Sequence, residues 1–418
     1  MQEALERRRP QSRRSGRPGT PVVVVIRMLV LKHLYRWSFD ECEREVRANL
    51  VYRSFCRVGL ERVADAKTLI RLSKLIDEQT LKTLLSRLVE MARKRNVIRG
   101  YRMRVDTTVV ETNIHYPTDS SLLKDGIGIL QRGVKKLGSL VSGIRMRDRS
   151  RSVQKRVFEI ARLSRQGQSE TAREKKTKRY RELMALARKA SRETMRTIRS
   201  VAQRKVAEPV KGKLRQYCAE LREKLGLLGK VLEQTAARIL GGDTHHPGKV
   251  LSLFEPHSEA IRKGKSSKPT EFGKLVKIQE AENQFITDYE VLPKRAPDQT
   301  LWEPSLKRHL ELFGRAPRIA TADAGFSSAA NRKVAAELGV RHIALPGKLR
   351  SSTPKQRRAL RKALRWRTGA EGRISALKRR HGLDRSRYRG VDGMKRWVAF
   401  GVIANNVLAC ARTVLARE

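Results

Sequence analysis

From about residue 20 to 98 the apolar positions recur at the three- and four-residue steps of helices, and near 99 the period changes. The first stretch therefore reads as a helical module. Ser38 and Glu41 have capping-box spacing, with Asp40 in the first turn where it favours the helix dipole. Further helices are expected after Asp65 and after Asp77, the latter carrying Leu81, Leu84, Leu85 and Leu88 on one side. Tyr101 to Val105 then alternates as a strand does, and Asp106 to Glu111 follows directly, so Asp106 is expected to close a strand.

Past Asp125 the strand pattern disappears for more than a hundred residues. Val153, Val157, Ile160 and Leu163 mark a helix, Gln166 to Ser169 a turn, and a long basic helix runs on to Pro209. The next helix carries Leu214, Cys218, Leu221, Leu225, Leu228 and Leu232 at alternating four- and three-residue steps, the seam of a helical hairpin. Strand character returns at Lys249 to Phe254, Phe272 to Ala281 and Phe285 to Leu292, with a tight turn at Glu282-Asn283. A helix from Asp298 to Phe313, a strand at Arg318 to Ala322, a helix from Ala329 to Leu338 and a strand at Arg341 to Leu345 follow. Trp397 to Ala411 is apolar but holds Asn405 and Asn406, and reads as a buried terminal helix.

The pattern predicts an α/β chain. Its parts are a flexible basic arm (1–20), a helical DNA-binding or dimerisation domain (21–98), the first piece of a mixed-sheet core (99–119), a basic helical insertion (120–248), the rest of the core (249–395) and a C-terminal helix (396–418).

Charge narrows the function. The 418 residues include 93 Lys and Arg against 42 Asp and Glu, a formal net charge of +51, which calls for a polyanionic partner; nucleic acid is the first choice. The excess is local: 131–240 has 31 basic and 10 acidic residues, and 341–398 has 19 and 3. Cys42, Cys56, Cys218 and Cys410 show no metal-ligand or disulfide spacing, so zinc fingers drop out and a reducing compartment fits. The run Pro21 to Ile26 is short and followed by Arg27 and Lys32, which argues against a membrane span.

Three acidic residues stand out against this basic background. Asp106 and Asp323 are expected at strand ends, and Glu371 on a helix as part of Arg367-x3-Glu371-x6-Lys378. At about 100° per residue these three helical positions fall within roughly 60° of one another, a carboxylate between two cations. Carboxylates so placed supply oxygen ligands for two Mg2+ or Mn2+ ions, which activate a hydroxyl and stabilise the leaving oxygen of an in-line phosphodiester displacement. Each has a plainer reading: a turn cap for Asp106, a helix N-cap for Asp323, a surface charge for Glu371. Glu111 is the rival carboxylate, and Asp298 reads as an N-cap. His115 could touch the site or be structural, and His245-His246 reads as surface.

The chain resembles the DDE-class transposases of bacterial insertion sequences, most closely the ISNCY-type group. The resemblance rests on Val105 to Ile114, Ile261 to Lys265 leading to Glu271-Phe272-Gly273, Thr287 to Val291, Asp323-Ala324-Gly325-Phe326, and the Arg367, Glu371, Lys378 stretch. Relatives often carry tyrosine three residues before that arginine, where this chain has Leu364. The resemblance implies a ribonuclease-H-like core with Asp106, Asp323 and Glu371 as catalytic and metal-binding triad, two Mg2+ or Mn2+ ions, and Arg367, Lys378 and Arg379 as DNA contacts. It also implies cleavage at terminal inverted repeats of double-stranded DNA with strand transfer to a target, a homo-oligomer on DNA, and a cytoplasmic, nucleoid-associated protein with no membrane partner. The alternative is a non-catalytic basic nucleic-acid-binding protein, either a domesticated transposase or an RNA-assembly factor.

Overall fold

A computed structural model describes residues 19–165, 169–208, 210–262, 269–346 and 354–417. Most of the basic arm, the turn at 166–168 and Lys263, Gly264 and Lys265 lie outside the described residues. The chain forms two compact units, residues 1–113 with 259–418, and residues 114–258.

The first unit begins with α1 (Val22–Leu34), α2 (Phe39–Ala48), α3 (Leu50–Cys56), α4 (Ala66–Ser73) and α5 (Glu78–Lys94). Their starts follow from local chemistry. The Ser38 hydroxyl accepts from Glu41 N–H at 3.0 Å while the Glu41 carboxylate accepts from Ser38 N–H at 2.6 Å, so two otherwise unpaired amides are satisfied. Asp65 and Asp77 cap α4 and α5 in the same manner, each accepting from an amide three residues on. Then comes β1 (Arg102–Thr112), longer than its pattern indicates. Asp106 is interior to it rather than at its end, because the antiparallel ladder with the next long strand continues through Glu111.

The second unit is helical: α6 (Asp119–Gly138), α7 (Ser150–Arg165), α8 (Glu170–Ala202) and α9 (Val210–Leu240). The leucine seam of α9 packs into α6, whose own buried residues Leu123, Ile127, Leu130, Val134 and Leu137 recur at four- and three-residue steps, with glycines between them that admit the α9 leucines. A Cβ on Gly126 would lie 2.5 Å from Leu228, and one on Gly133 2.3 Å from Leu221. Two knobs seven residues apart thus fill two holes seven residues apart on an antiparallel neighbour. Glu159, Glu182 and Glu193 are consumed in ion pairs with Arg179, Arg156 and Arg149. Arg181, Arg188, Arg192 and Arg199 remain exposed along one stripe of α8. The segment Lys249 to Phe254 is not a strand. Val250 exchanges both backbone hydrogen bonds with the Gln234 side chain, at 2.9 and 3.2 Å, and with Leu253 joins the helical core, so its alternation reflects burial against helices.

Back in the first unit come β2 (Glu259–Ile261), β3 (Glu271–Glu280), β4 (Ile286–Val291), a 3-10 turn at Asp298–Leu301, α10 (Trp302–Phe313), β5 (Ile319–Thr321), α11 (Ala329–Glu337), β6 (His342–Ala344), α12 (Pro354–His381), β7 (Arg385–Ser386) and α13 (Gly390–Leu415). They make a mixed seven-stranded sheet ordered β2-β3-β1-β5-β6, with β4 on β3 and β7 on β1. Met103, Val105 and Val109 face Trp302, Leu306 and Phe326 on one side, whereas Val110, Val276 and Ile278 meet Leu377 and α13 on the other. By length and composition α13 could cross a membrane. Its two asparagines show a different use: Asn406 accepts from Ile286 N–H at 2.9 Å and donates to Ile286 C=O at 2.7 Å, closing the outer edge of β4.

Candidate active site

Parallel pairing between β1 and β5 ends at Arg104 with Thr321. Asp106 lies two residues further along β1, and Asp323 lies two residues past the end of β5, so each follows the last registered pair by the same number of residues. Both are half-buried. The Asp106 carboxylate accepts from Thr107 N–H at 2.7 Å, and Asp323 accepts from Gly325 N–H at 2.9 Å, the cap of a short 3-10 turn at Ala324–Phe326.

Asp298 joins this neighbourhood, which its sequence position does not disclose. Its carboxylate accepts from the Thr107 hydroxyl at 3.2 Å, and the N-cap of the 3-10 turn it begins is Pro297. A Cβ on Gly325 would sit 2.8 Å from Asp298 Oδ2 and 3.2 Å from Asp323 Oδ1. A side chain there would press on both carboxylates, whose oxygens are the two atoms nearest that position. Such a donor set suits a hard cation such as Mg2+ or Mn2+ and not a thiolate- or imidazole-seeking metal.

Glu371 is exposed on α12, which stays helical through Gly369 and Gly372. The helix is held beside the sheet at two places. Arg104 Nη1 donates to the Trp366 carbonyl at 2.6 Å, and Lys378 Nζ lies 3.5 Å from Glu271 Oε1 near the far end of β1. Asp106 lies on β1 beyond the first anchor, and Glu371 on α12 between the two. Among the described residues no group of three or more His, Cys, Asp or Glu side chains is arranged to hold a metal ion. Asp106 and Glu371 thus lie along one strand-and-helix pairing with Asp323 following β5, and among the described residues the three do not close into a ligand set.

The other candidates sort by their surroundings. Glu111 lies five residues along β1 from Asp106, about 16 Å by strand rise and of opposite pleat parity. It pairs with Arg385 at 3.1 Å. Lys378 is only 20% exposed beside Glu271, while Arg379 is exposed and offers its carbonyl to Arg36 at 3.0 Å. Arg367 Nε is buried with no hydrogen-bond partner among the described residues. In the sheet, Lys277 Nζ lies 3.2 Å from both Asp288 and Glu290 of β4. His115 faces Asp125 at 3.4 Å. The thiols of Cys42 and Cys56 are pushed up to about 12 by burial, which makes them poor nucleophiles.

Residues 1–75 match the family model of a transposase domain (DUF772), and residues 248–407 match that of a transposase DDE domain. An uncharacterized protein, ORF8 in the nfe locus of Rhizobium meliloti, is 33% identical over 129 residues, 29% of this chain. The match spans 62% of that protein's length. No solved structure matches the chain.

Proposed function

We propose, for a chain that belongs to the DDE-class transposases of insertion sequences, that it cuts double-stranded DNA at the ends of a mobile element and joins the freed 3′-OH to a target. On this reading the mixed sheet is a ribonuclease-H-like core of the ISNCY-type group. The N-terminal helices and the basic helical insertion dock on DNA, and the chain works as a homo-oligomer in the bacterial cytoplasm, on the nucleoid. The observation that supports it most is that Asp106 and Asp323 each follow the last registered β1–β5 pair by two residues, with Glu371 on the helix held along β1.

Two divalent cations, Mg2+ or Mn2+, would supply an activated water or 3′-OH nucleophile and charge stabilisation at the leaving oxygen. Asp106, Asp323 and Glu371 would hold them through carboxylate oxygens. The N–H groups of Thr107 and Gly325 each engage one aspartate, which limits rotation of both carboxylates in advance. Arg367 and Arg379 supply positive charge for the DNA backbone on the same helix, and Lys378, paired with Glu271 in this structure, would have to leave that carboxylate to meet a phosphate.

The rival, a non-catalytic DNA-binding protein, draws on the open arrangement of the three carboxylates. Incubating the full chain with supercoiled plasmid in Mn2+ separates the two. An enzyme converts the plasmid to nicked circles, and chelation by EDTA stops it; a pure binding protein retards the plasmid and leaves it intact.

A further inference from the structure

Arg104 precedes Asp106 by two residues on β1 and so projects from the same face of the sheet. It is 5% exposed. Its Nε and Nη2 form a fork on Glu280, its ladder partner on β3, at 2.8 and 2.7 Å. Its Nη1 donates to the Trp366 carbonyl on α12, and its guanidinium lies 4.9 Å from the centre of the Trp366 ring. Further along α12, Arg373 Nε approaches the same Glu280 carboxylate at 3.7 Å and its Nη1 donates to Asn405 on α13 at 3.1 Å. One buried carboxylate is thereby shared between the strand and the helix.

Gly369 marks how close the two elements come. It is an exposed position in a helix, where alanine is ordinarily the better residue. A Cβ there would lie 2.6 Å from Arg104 Nη1, an atom already committed to the Trp366 carbonyl. Two apolar side chains of similar volume would hold strand and helix together without the desolvation that a buried ion pair incurs. They would not fix the height of one on the other, because apolar contact has no direction and a forked guanidinium does.

We infer that Arg104 is a positioning residue that sets the height of the Glu371 helix on the strand bearing Asp106, with Gly369 admitting it to the helix backbone. The inference rests on the reading of Glu371 as a third metal-binding carboxylate. It assigns a role in the reaction to a residue that acts through the placement of the helix.

The test uses the full chain with Gly369→Ala or Arg104→Lys, with Glu371→Gln as control. It measures amide hydrogen exchange over residues 363–378 and nicking of supercoiled plasmid in Mn2+. Helix propensity alone makes Gly369→Ala neutral or protective. The clasp predicts the opposite sign: exchange over 363–378 faster by about tenfold, as for a lost charge-assisted hydrogen bond, and nicking slower by about a hundredfold from a misplaced carboxylate, with plasmid binding unchanged. Arg104→Lys keeps the charge beside Glu280 but cannot make the fork and the third bond together, and follows the same pattern. Should Arg104→Lys fail to fold by circular dichroism, Gly369→Ala decides alone. Parent-like exchange and nicking in Gly369→Ala would overturn the clasp. If Glu371→Gln nicks at the parent rate, the reading of Glu371 fails instead, and the exchange data still judge the clasp.

Discussion

Asp106 and Asp323 each lie two residues beyond the last registered pair of β1 and β5, Arg104 with Thr321. β5 stops at Thr321 while β1 continues against β3 through Glu111, so the sheet opens towards the two carboxylates. A side chain at Gly325 in the Asp-Ala-Gly turn at this opening would press on the Asp298 and Asp323 carboxylates. Gly325→Ala is therefore expected to leave the fold intact, since the position is exposed, and to weaken Mn2+ binding by about tenfold or more by displacing Asp298 or Asp323. Electron paramagnetic resonance of Mn2+ titrated into the two proteins measures this. Equal affinities would mean that the space beside Gly325 is not where the cation sits.

Asn406 fixes the outer edge of the sheet from within an apolar helix. Asn406→Leu should raise the apolar content of α13 yet destabilise the protein, because Ile286 would lose two buried backbone hydrogen bonds. A cost of about 2–4 kcal/mol is expected from two unmet groups. Urea unfolding monitored by circular dichroism gives the difference, and a Leu variant as stable as the parent would remove this role.

Burial holds His309 down to about 4; it is fully buried, its Nε2 lies 3.0 Å from the Gly100 carbonyl, and its ring stacks on Phe313. His381 is held near 4 by the same cause and by neighbouring arginines. The unfolded chain takes up these protons near pH 6.5 and the native one does not, so stability is full above about 6.5 and is lost as pH falls towards 4. For His309 the loss approaches about 3 kcal/mol. His309→Gln keeps a donor for Gly100 without titrating, and its stability should fall less steeply between pH 6.5 and 4.5 than the parent's. Parallel slopes would show that His309 is not the group responsible.

Salt reports the basic surfaces. Each phosphate neutralised by Lys or Arg lowers the slope of log affinity against log salt by about 0.9 on duplex DNA. The exposed stripe on α8 and the α12 region lead us to expect about six or more contacts. Because Lys378 is paired with Glu271, Lys378→Ala should reduce the slope by at most about one and weaken binding to all sequences alike. A changed preference among DNA sequences with an unchanged slope would make Lys378 a base-reading residue.

How much of this was legible beforehand differs by element. Caps at Ser38, Asp65 and Asp77, the α9 seam and the β3–β4 turn are local, and local patterns find them. Residues Lys249 to Phe254 mislead because alternation records burial, not the identity of the partner, and here the partner is Gln234. Gly126, Gly133 and Gly369 look like helix breakers until the residues that fill their empty positions are known, and those lie far away in sequence. Gly372 has open space around it, and nothing in the structure explains it. The aspartates could be picked out by motif, but their equal offset from the last β1–β5 pair depends on a register that no sequence spacing encodes. Arg104 and Asp298 are visible only through contacts with residues 176 to 262 and 191 positions away.

The most direct test of the central claim is the single-turnover rate of plasmid nicking in Mn2+ for the parent, Asp106→Ala, Asp323→Ala and Glu371→Ala, with plasmid binding measured in parallel. The account predicts that all four bind alike and that only the parent nicks. A variant lacking either aspartate that still nicks at a near-parent rate would contradict it.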